Sequence, residues 1–302
     1  MRIADRWSQY FWGQPKPVAV FQVSPSYFAC LKVEPEIKNL EDNCFIQRIP
    51  AGIVEPHFSQ PNIKQSEILE QLIDRALEKL KIQGNSVTVI LPEMSSRVFV
   101  FSLESIFLGS TELTKFIEWR LNRQLAQPLS DIRYSYQTFN SGREKKVLVV
   151  CSGIEVIKEY EVIFQKKKLL PGKLTIPSLS VFNLLPGMKE DGFLLVDADS
   201  DYLSLAAVVD GSIFLYRQKQ LLSGAEGSRA SEVNSQEMVL KEIENTLHFI
   251  EDKTRRKLKL LYLRLNLEEK ELLKRELQLT SAVEIVDIFA ENQAIAPLVG
   301  GL

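Results

Sequence analysis

Apolar positions along this chain recur with two periods, and the switches between them mark out its elements. Residues 18–23, Val-Ala-Val-Phe-Gln-Val, are almost continuously apolar, as are 27–33, Tyr-Phe-Ala-Cys-Leu-Lys-Val. Runs this short, separated by Ser24-Pro25-Ser26, predict an antiparallel hairpin. Prolines and Gly52 punctuate 46–61, which reads as loop or short edge strand. The pattern then changes to helical spacing over 66–82, where Ile68, Leu69, Leu72, Ile73, Ala76, Leu77 and Leu80 share one face, and Gly84 stops it. Ser86 to Leu91 is a short buried strand ending at Pro92.

Arg97 to Leu103 predicts a strand and the stretch from Ser110-Thr111 a helix, with Leu113, Phe116, Ile117, Leu121 and Leu125 on its apolar face and Pro128 closing it. Ile132 to Phe139 and Lys145 to Ser152 read as strands around Asn140-Ser-Gly142. Ile154 to Lys168 reads as a helix. This block resembles a compact insertion. After Gly187 a second set begins. Phe193 to Ala198 is a strand, and 203–209 and 212–217 flank Asp210-Gly211, a type I′ hairpin signal. Residues 218–235, rich in Ser, Gly and Ala, read as a mobile loop. A helix over 237–253, a strand over 258–265, a helix over 267–277 and a strand over 283–288 follow. Two sets that each open on a buried hairpin predict a duplicated α/β fold.

Composition narrows the function classes. The chain has 302 residues, 45% of them hydrophobic, with a net charge of −2. That is enough for about two domains with real cores, and no global field recruits nucleic acid or anionic lipid. Three cysteines, Cys30, Cys44 and Cys151, lie far apart and read as ordinary thiols rather than a disulfide framework. Two histidines, His57 and His248, form no Cys/His cluster, which argues against a zinc site and a catalytic triad. No apolar run reaches bilayer-spanning length and the N-terminus has no secretory pattern, so a cytoplasmic location is expected.

Some features admit two readings. Lys253, Arg255, Arg256, Lys257 and Lys259 suit either nucleic acid or lipid, or the negative end of the preceding helix dipole, and the dipole reading is preferred. Lys166-Lys-Lys168 is read the same way. Trp7, Tyr10, Phe11 and Trp12 suit a buried clasp or a partner anchor, with the clasp preferred.

In actin-like and sugar-kinase-like proteins each lobe presents a hairpin of the form Asp-x-Gly-x-x-Ser/Thr. Its glycine lets backbone N–H groups approach phosphates, and its Asp holds Mg²⁺ or its waters. Several segments of this chain match such proteins in kind and order: Arg48-Ile-Pro-Ala-Gly-Ile-Val54, Val87-Thr-Val-Ile-Leu-Pro92, Phe116-Ile-Glu-Trp-Arg-Leu-Asn-Arg-Gln-Leu125, Val147-Leu-Val-Val-Cys-Ser152, Leu195-Val-Asp-Ala-Asp199, Val209-Asp-Gly-Ser-Ile-Phe214 and Glu242-Ile-Glu-Asn-Thr-Leu-His-Phe249. In this ordered set the chain resembles the PilM-type actin-like proteins of type IV pilus assembly, relatives of the cell-division ATPase FtsA. The resemblance implies an actin-like (ribonuclease H-like) two-lobed α/β fold. Residues 1–93 and 170–186 would form the first lobe, 94–169 an inserted α+β subdomain, and 187–302 the second lobe.

The departures from the family pattern bear on function. Where the family's first hairpin has Asp-Ile-Gly-Ser, this chain has Phe21-Gln22-Val23-Ser24. Val23 puts a branched side chain where phosphate needs bare backbone, and Pro25 removes an N–H. Ser24 and Ser26 are then either phosphate contacts or simply a tight turn, the turn being preferred. In the second hairpin Asp197 matches, but Asp199 stands at the glycine position and Asp201 follows. These carboxylates are either a Mg²⁺ or Ca²⁺ site or a solvated turn, and the solvated turn is preferred. Arg264-Leu265-Asn266 replaces the family's Gly-Gly pair beside the adenosine.

The resemblance therefore implies a pseudo-ATPase scaffold without catalytic or metal residues. Ser24, Ser26, Asp197 and Asp199 would be remnant nucleotide positions, and no cofactor is expected. Its partner would be the N-terminal tail of a PilN-like bitopic membrane protein, received between the first lobe and the inserted subdomain and holding the chain at the inner membrane. A pilus motor ATPase is a further candidate partner. The alternatives are an active actin-like protein binding ATP and magnesium, the cytoplasmic domain of a type II secretion platform protein, and a nucleic-acid module using 253–259.

Overall fold

The structure is a computed structural model that describes residues 16–34, 39–103, 109–141, 144–187, 192–221, 229–267, 270–280, 283–290 and 292–302. These fall into two compact units, one running to Ile176 and one spanning Pro177–Gly301. The aromatic group at Trp7, Tyr10, Phe11 and Trp12 lies outside the described residues.

In the first unit, β1 (Ala19–Val23) and β2 (Tyr27–Lys32) form the expected hairpin, with Phe21 opposite Cys30. Every residue of β1 is buried, so the strand lies at the centre of its sheet. β3 (Cys44–Arg48) pairs antiparallel with β2, while β4 (Ser86–Ile90) and β8 (Leu170–Thr175) add in parallel, giving the order β3-β2-β1-β4-β8. The sequence pattern did not reveal β8, because Pro171 and Gly172 break its apolar run.

Parallel strands need a long crossover, and α1 (Ser66–Leu80) lies on the path into β4. It buries Leu69, Leu72, Ile73, Ala76 and Leu80. The helix ends at Lys81, which takes the left-handed conformation (φ 50°), so the stop comes before Gly84. Gly84 has a different role. With φ at +101°, its hydrogen faces Val18, and a Cβ there would come within 2.9 Å of Val18 Cγ1.

The insertion within this unit is an antiparallel sheet of β5 (Arg97–Leu103), β6 (Ile132–Ser141) and β7 (Glu144–Gly153), in the order β5-β7-β6. One face is covered by α2 (Ser110–Gln124), whose Leu113, Ile117 and Leu121 pack with Phe101, Leu103, Val147, Val149 and Cys151. The next helix, α3 (Ile154–Lys166), buries Tyr160, Ile163 and Phe164, and the Phe164 ring meets Phe21 of β1 edge-on at 5.1 Å.

The second unit repeats the first sheet's plan. Its strands are β9 (Phe193–Asp199), β10 (Tyr202–Val209), β11 (Ser212–Gln220), β12 (Leu260–Leu265) and β13 (Glu284–Asp287), in the order β11-β10-β9-β12-β13. Again two neighbours are antiparallel and two parallel. Asp210 and Gly211 both have positive φ, 52° and 71°, as the type I′ turn requires.

The expected loop over 218–235 is corrected at both ends. β11 continues to Gln220 and α5 (Arg229–Thr254) begins at Arg229, while 222–228 lie outside the described residues. The polar composition of 229–236 suggested loop, but its Ala, Glu and Gln favour helix once a helix has been nucleated. α6 (Lys270–Thr280) precedes β13. Two short helices, α4 (Pro177–Phe182) and α7 (Ala296–Gly300), pack on each other so tightly that a Cβ at Gly300 would meet Ser180 O at 1.8 Å.

Candidate functional site

The central hairpin of the second unit carries a buried charge cluster. Residues two apart on a strand face the same way, so Asp197 and Asp199 project together from the end of β9. β12 runs parallel beside it, and its register sets Arg264 opposite Asp197. Arg264 Nη1 donates to Asp197 Oδ1 at 3.1 Å, and Nη2 to Asp199 Oδ2 at 2.9 Å. Nη1 also reaches the Tyr202 hydroxyl at 3.0 Å, and that hydroxyl donates to Asp197 Oδ2 at 2.9 Å. Nε donates to the Gln293 carbonyl at 2.8 Å.

Two further donors share the charge of Asp199. Asn266 Nδ2 lies 3.1 Å from both of its oxygens, and the Ser200 N–H donates at 2.9 Å. Asp197 and Arg264 are fully buried and Asp199 is 2% exposed. Ions out of water are tolerated only when paired and fully hydrogen-bonded, and this cluster meets both conditions. The solvated-turn reading is therefore corrected: Asp197 and Asp199 lie inside the lobe. The metal reading meets an occupied space, because the guanidinium stands where a cation would have to approach. Among the described residues, no group of three His, Cys, Asp or Glu side chains could hold a metal ion.

The corresponding hairpin of the first unit is apolar. Phe21 is fully buried and packs against Phe28 and Phe164, with Val23 buried beside it. In parallel pairing Phe21 stands opposite Val89, as Asp197 does opposite Arg264. Ser24 is buried, and its N–H donates to Tyr27 O at 2.9 Å. The Ser26 N–H turns back toward Ser24 Oγ at 3.4 Å. Below the turn, Gln22 Nε2 donates to the Tyr27 hydroxyl at 2.8 Å. Ser24 and Ser26 thus take part in closing their own turn.

The structure brings Ser24 to Ser26 in one unit and Asp197 to Asp199 in the other. The sequence reading missed Arg264 as the partner of the aspartates. A signal was present, since a single arginine in Leu260-Leu-Tyr-Leu-Arg-Leu265 must be paired if its strand is buried.

The basic clusters are largely spoken for. Arg256 pairs with Asp210 at 2.7 Å and Lys257 with Glu251 at 3.2 Å, while Arg255 takes a left-handed conformation just past the end of α5. Lys166 pairs with Glu70 at 2.9 Å and Lys167 with Asp74 at 2.7 Å, tying α3 to α1. Cys30, Cys44 and Cys151 are buried free thiols. Burial pushes the Cys44 thiol up to about 11 and that of Cys151 to about 12. Such thiols are poor nucleophiles at neutral pH.

No protein-family model matches the chain, and no curated protein matches it. Solved structures do. A chain of the PilM–PilN type IV pilus biogenesis complex superposes with a TM-score of 0.76 at 16% identity, covering 95% of this chain and 98% of that one. A protein of Bacteroides thetaiotaomicron with an actin-like ATPase fold and unknown function gives a TM-score of 0.54 at 11% identity, covering 93% and 94%. The chain has the actin-like fold, and its likeness to the PilM–PilN complex extends over nearly its full length. Among the described residues no helix is long and apolar enough to cross a membrane.

Proposed function

We propose that this protein is a non-catalytic scaffold of a type IV pilus assembly platform, a pseudo-ATPase that binds the N-terminal tail of a PilN-like bitopic membrane protein. That partner would hold it at the inner face of the membrane, and a motor ATPase is a second candidate partner. The full-length likeness to a chain of the PilM–PilN complex supports the pilus setting. The observation that carries the loss of nucleotide chemistry is Arg264, whose guanidinium fills the space between Asp197 and Asp199. A triphosphate with its magnesium would have to break that ion pair, at a cost of about 3–5 kcal/mol, before making any contact of its own. The first hairpin adds nothing to offset this, because Phe21 and Val23 replace an acid and a glycine.

Two measurements test the reading. Calorimetric titration of Mg·ATP into the purified chain is expected to give no saturable heat, and clear micromolar binding would sink the pseudo-ATPase claim. Pull-down with synthetic N-terminal tails of bitopic membrane proteins encoded beside this chain is expected to retain a PilN-like tail. Retention only of tails from a type II secretion platform would move the protein to that system.

A further inference from the structure

One flank of α2 carries a tryptophan and two arginines that stay partly in solvent above a row of aromatic rings continuous with the core. Phe99 and Phe101 stack on the same face of β5, with ring centroids 5.7 Å apart. Phe116 of α2 meets Phe101 edge-on at 6.4 Å, and Trp119 continues the row at 6.2 Å from Phe116. Arg120 lies over Phe101, its Cζ 5.0 Å from the ring centre, and 5.8 Å from that of Trp119. Arg123 covers the same Trp119 ring at 5.1 Å. Trp119 nevertheless remains 49% exposed, and β5 is one of the two edge strands of its sheet.

Among the described residues neither Arg120 nor Arg123 has an ion-pair partner, and Arg120 Nε is buried without a hydrogen bond. The helix has two acids. Glu112 lies on the same flank but caps the Gly109 N–H at 3.1 Å, and Glu118 turns to the other flank to accept from the Tyr134 hydroxyl at 3.1 Å. A guanidinium stacked on an aromatic ring has already lost side-chain freedom, so less is lost when it binds a carboxylate. Arginine and tryptophan are also the residue types that dominate binding hot spots.

We infer that this flank docks a short acidic segment of a partner protein. Side chains three apart on a helix stand roughly 5–6 Å apart, and alternate side chains of an extended chain roughly 6–7 Å. Carboxylates at positions i and i+2 of an extended segment therefore match Arg120 and Arg123. An apolar side chain two positions before or after that pair would lie on Trp119 and Phe99. The inference stands apart from the scaffold reading, because it holds whatever protein supplies the segment.

The test is selection of a displayed random dodecapeptide library on the full chain. Enriched sequences are expected to carry two acids spaced by one residue with an aromatic or leucine nearby. A synthetic peptide of the leading sequence, followed by fluorescence anisotropy, should lose about tenfold in affinity with Trp119→Ala or Arg123→Gln, and should weaken with added salt. Arg123 is exposed, so Arg123→Gln should keep the native melting temperature, and Arg256→Gln on the other unit should leave binding unchanged. An empty selection, enrichment without acids, or binding indifferent to both flank variants overturns the proposal. So does binding of anionic phospholipid vesicles that Arg123→Gln abolishes while no acidic peptide binds, or self-association that Trp119→Ala removes.

Discussion

At the same point of two sheets with the same strand order, one lobe sets Phe21 beside Val89 and the other sets Asp197 beside Arg264. Both solutions bury the end of the central strand. They differ in what holds them. The first depends on shape, because Phe21 fills space between Phe28 and Phe164. The second depends on charge balance, because two carboxylates share one guanidinium and three neutral donors. A strand end can be buried without polar groups, or with polar groups that are paired internally. This chain shows one of each.

The comparison is broken most severely by giving the first lobe the second lobe's acid. Phe21→Asp removes a buried aromatic, worth about 3–5 kcal/mol, and adds a carboxylate with no arginine opposite. The expected loss exceeds roughly 5 kcal/mol, enough to unfold the first unit, read as loss of its transition in urea denaturation followed by circular dichroism. A variant that folds normally would mean that the strand end is open to water. The next largest effect comes from Arg264→Ala, which strands two buried carboxylates. Its cost should be about 3–5 kcal/mol by the same measurement. A cost below about 1 kcal/mol would mean that the pair is solvated like a surface salt bridge.

These two strand ends were not equally legible. The hairpin 18–33 followed from two apolar runs and a Ser-Pro-Ser turn, and the second from Asp210-Gly211, because both signals are local. The departure of the first hairpin from the family pattern was equally local, since Phe21-Gln22-Val23-Ser24 is read directly from the sequence. The second could not be read that way. Asp197 and Arg264 are brought together by a parallel pairing across 67 positions of sequence, and nothing near Asp197 announces its partner. Without that partner a run of three aspartates looks like a solvated turn. The same limit hid β8, whose Pro171-Gly172 is tolerated only because the register shifts beside it between Val87 and Thr88. It also hid the Lys166–Glu70 and Lys167–Asp74 pairs, which join two helices that are distant in sequence.

Converting the second solution into the first sharpens the contrast. Asp197→Val, Asp199→Ala and Arg264→Met together replace the ion cluster by apolar groups of similar volume. Buried ion pairs are often matched in stability by such replacements. Tyr202, Asn266 and the Gln293 carbonyl would still lose partners, so a residual cost of about 1–3 kcal/mol is expected. The decisive outcome is the order: the triple variant should be more stable than Arg264→Ala alone in paired urea titrations. The reverse order would mean that the aspartates, rather than the pair, hold the strand end.

The smallest effect concerns a carboxylate that uses neither solution. Glu159 of α3 is half-buried, and its oxygens accept the Asn62 and Ile63 N–H groups at 2.6 and 3.1 Å. Burial raises its pKa, and the N–H bonds and Lys64 only partly oppose this. The folded chain therefore keeps the proton to a higher pH than the unfolded chain does. Between the ordinary glutamate value and the raised one, the folded state binds more protons, so stability falls as pH rises through that window and levels off above it. Wild type and Glu159→Gln, compared by denaturant titration at steps from about pH 4 to 7, should show it. Glutamine does not titrate, so the advantage of wild type over the variant should shrink as pH rises. If it grows instead, the two N–H donors outweigh desolvation. The amides, the Asn62 side chain and Lys64 would then be enough to hold a half-buried carboxylate without an arginine beside it.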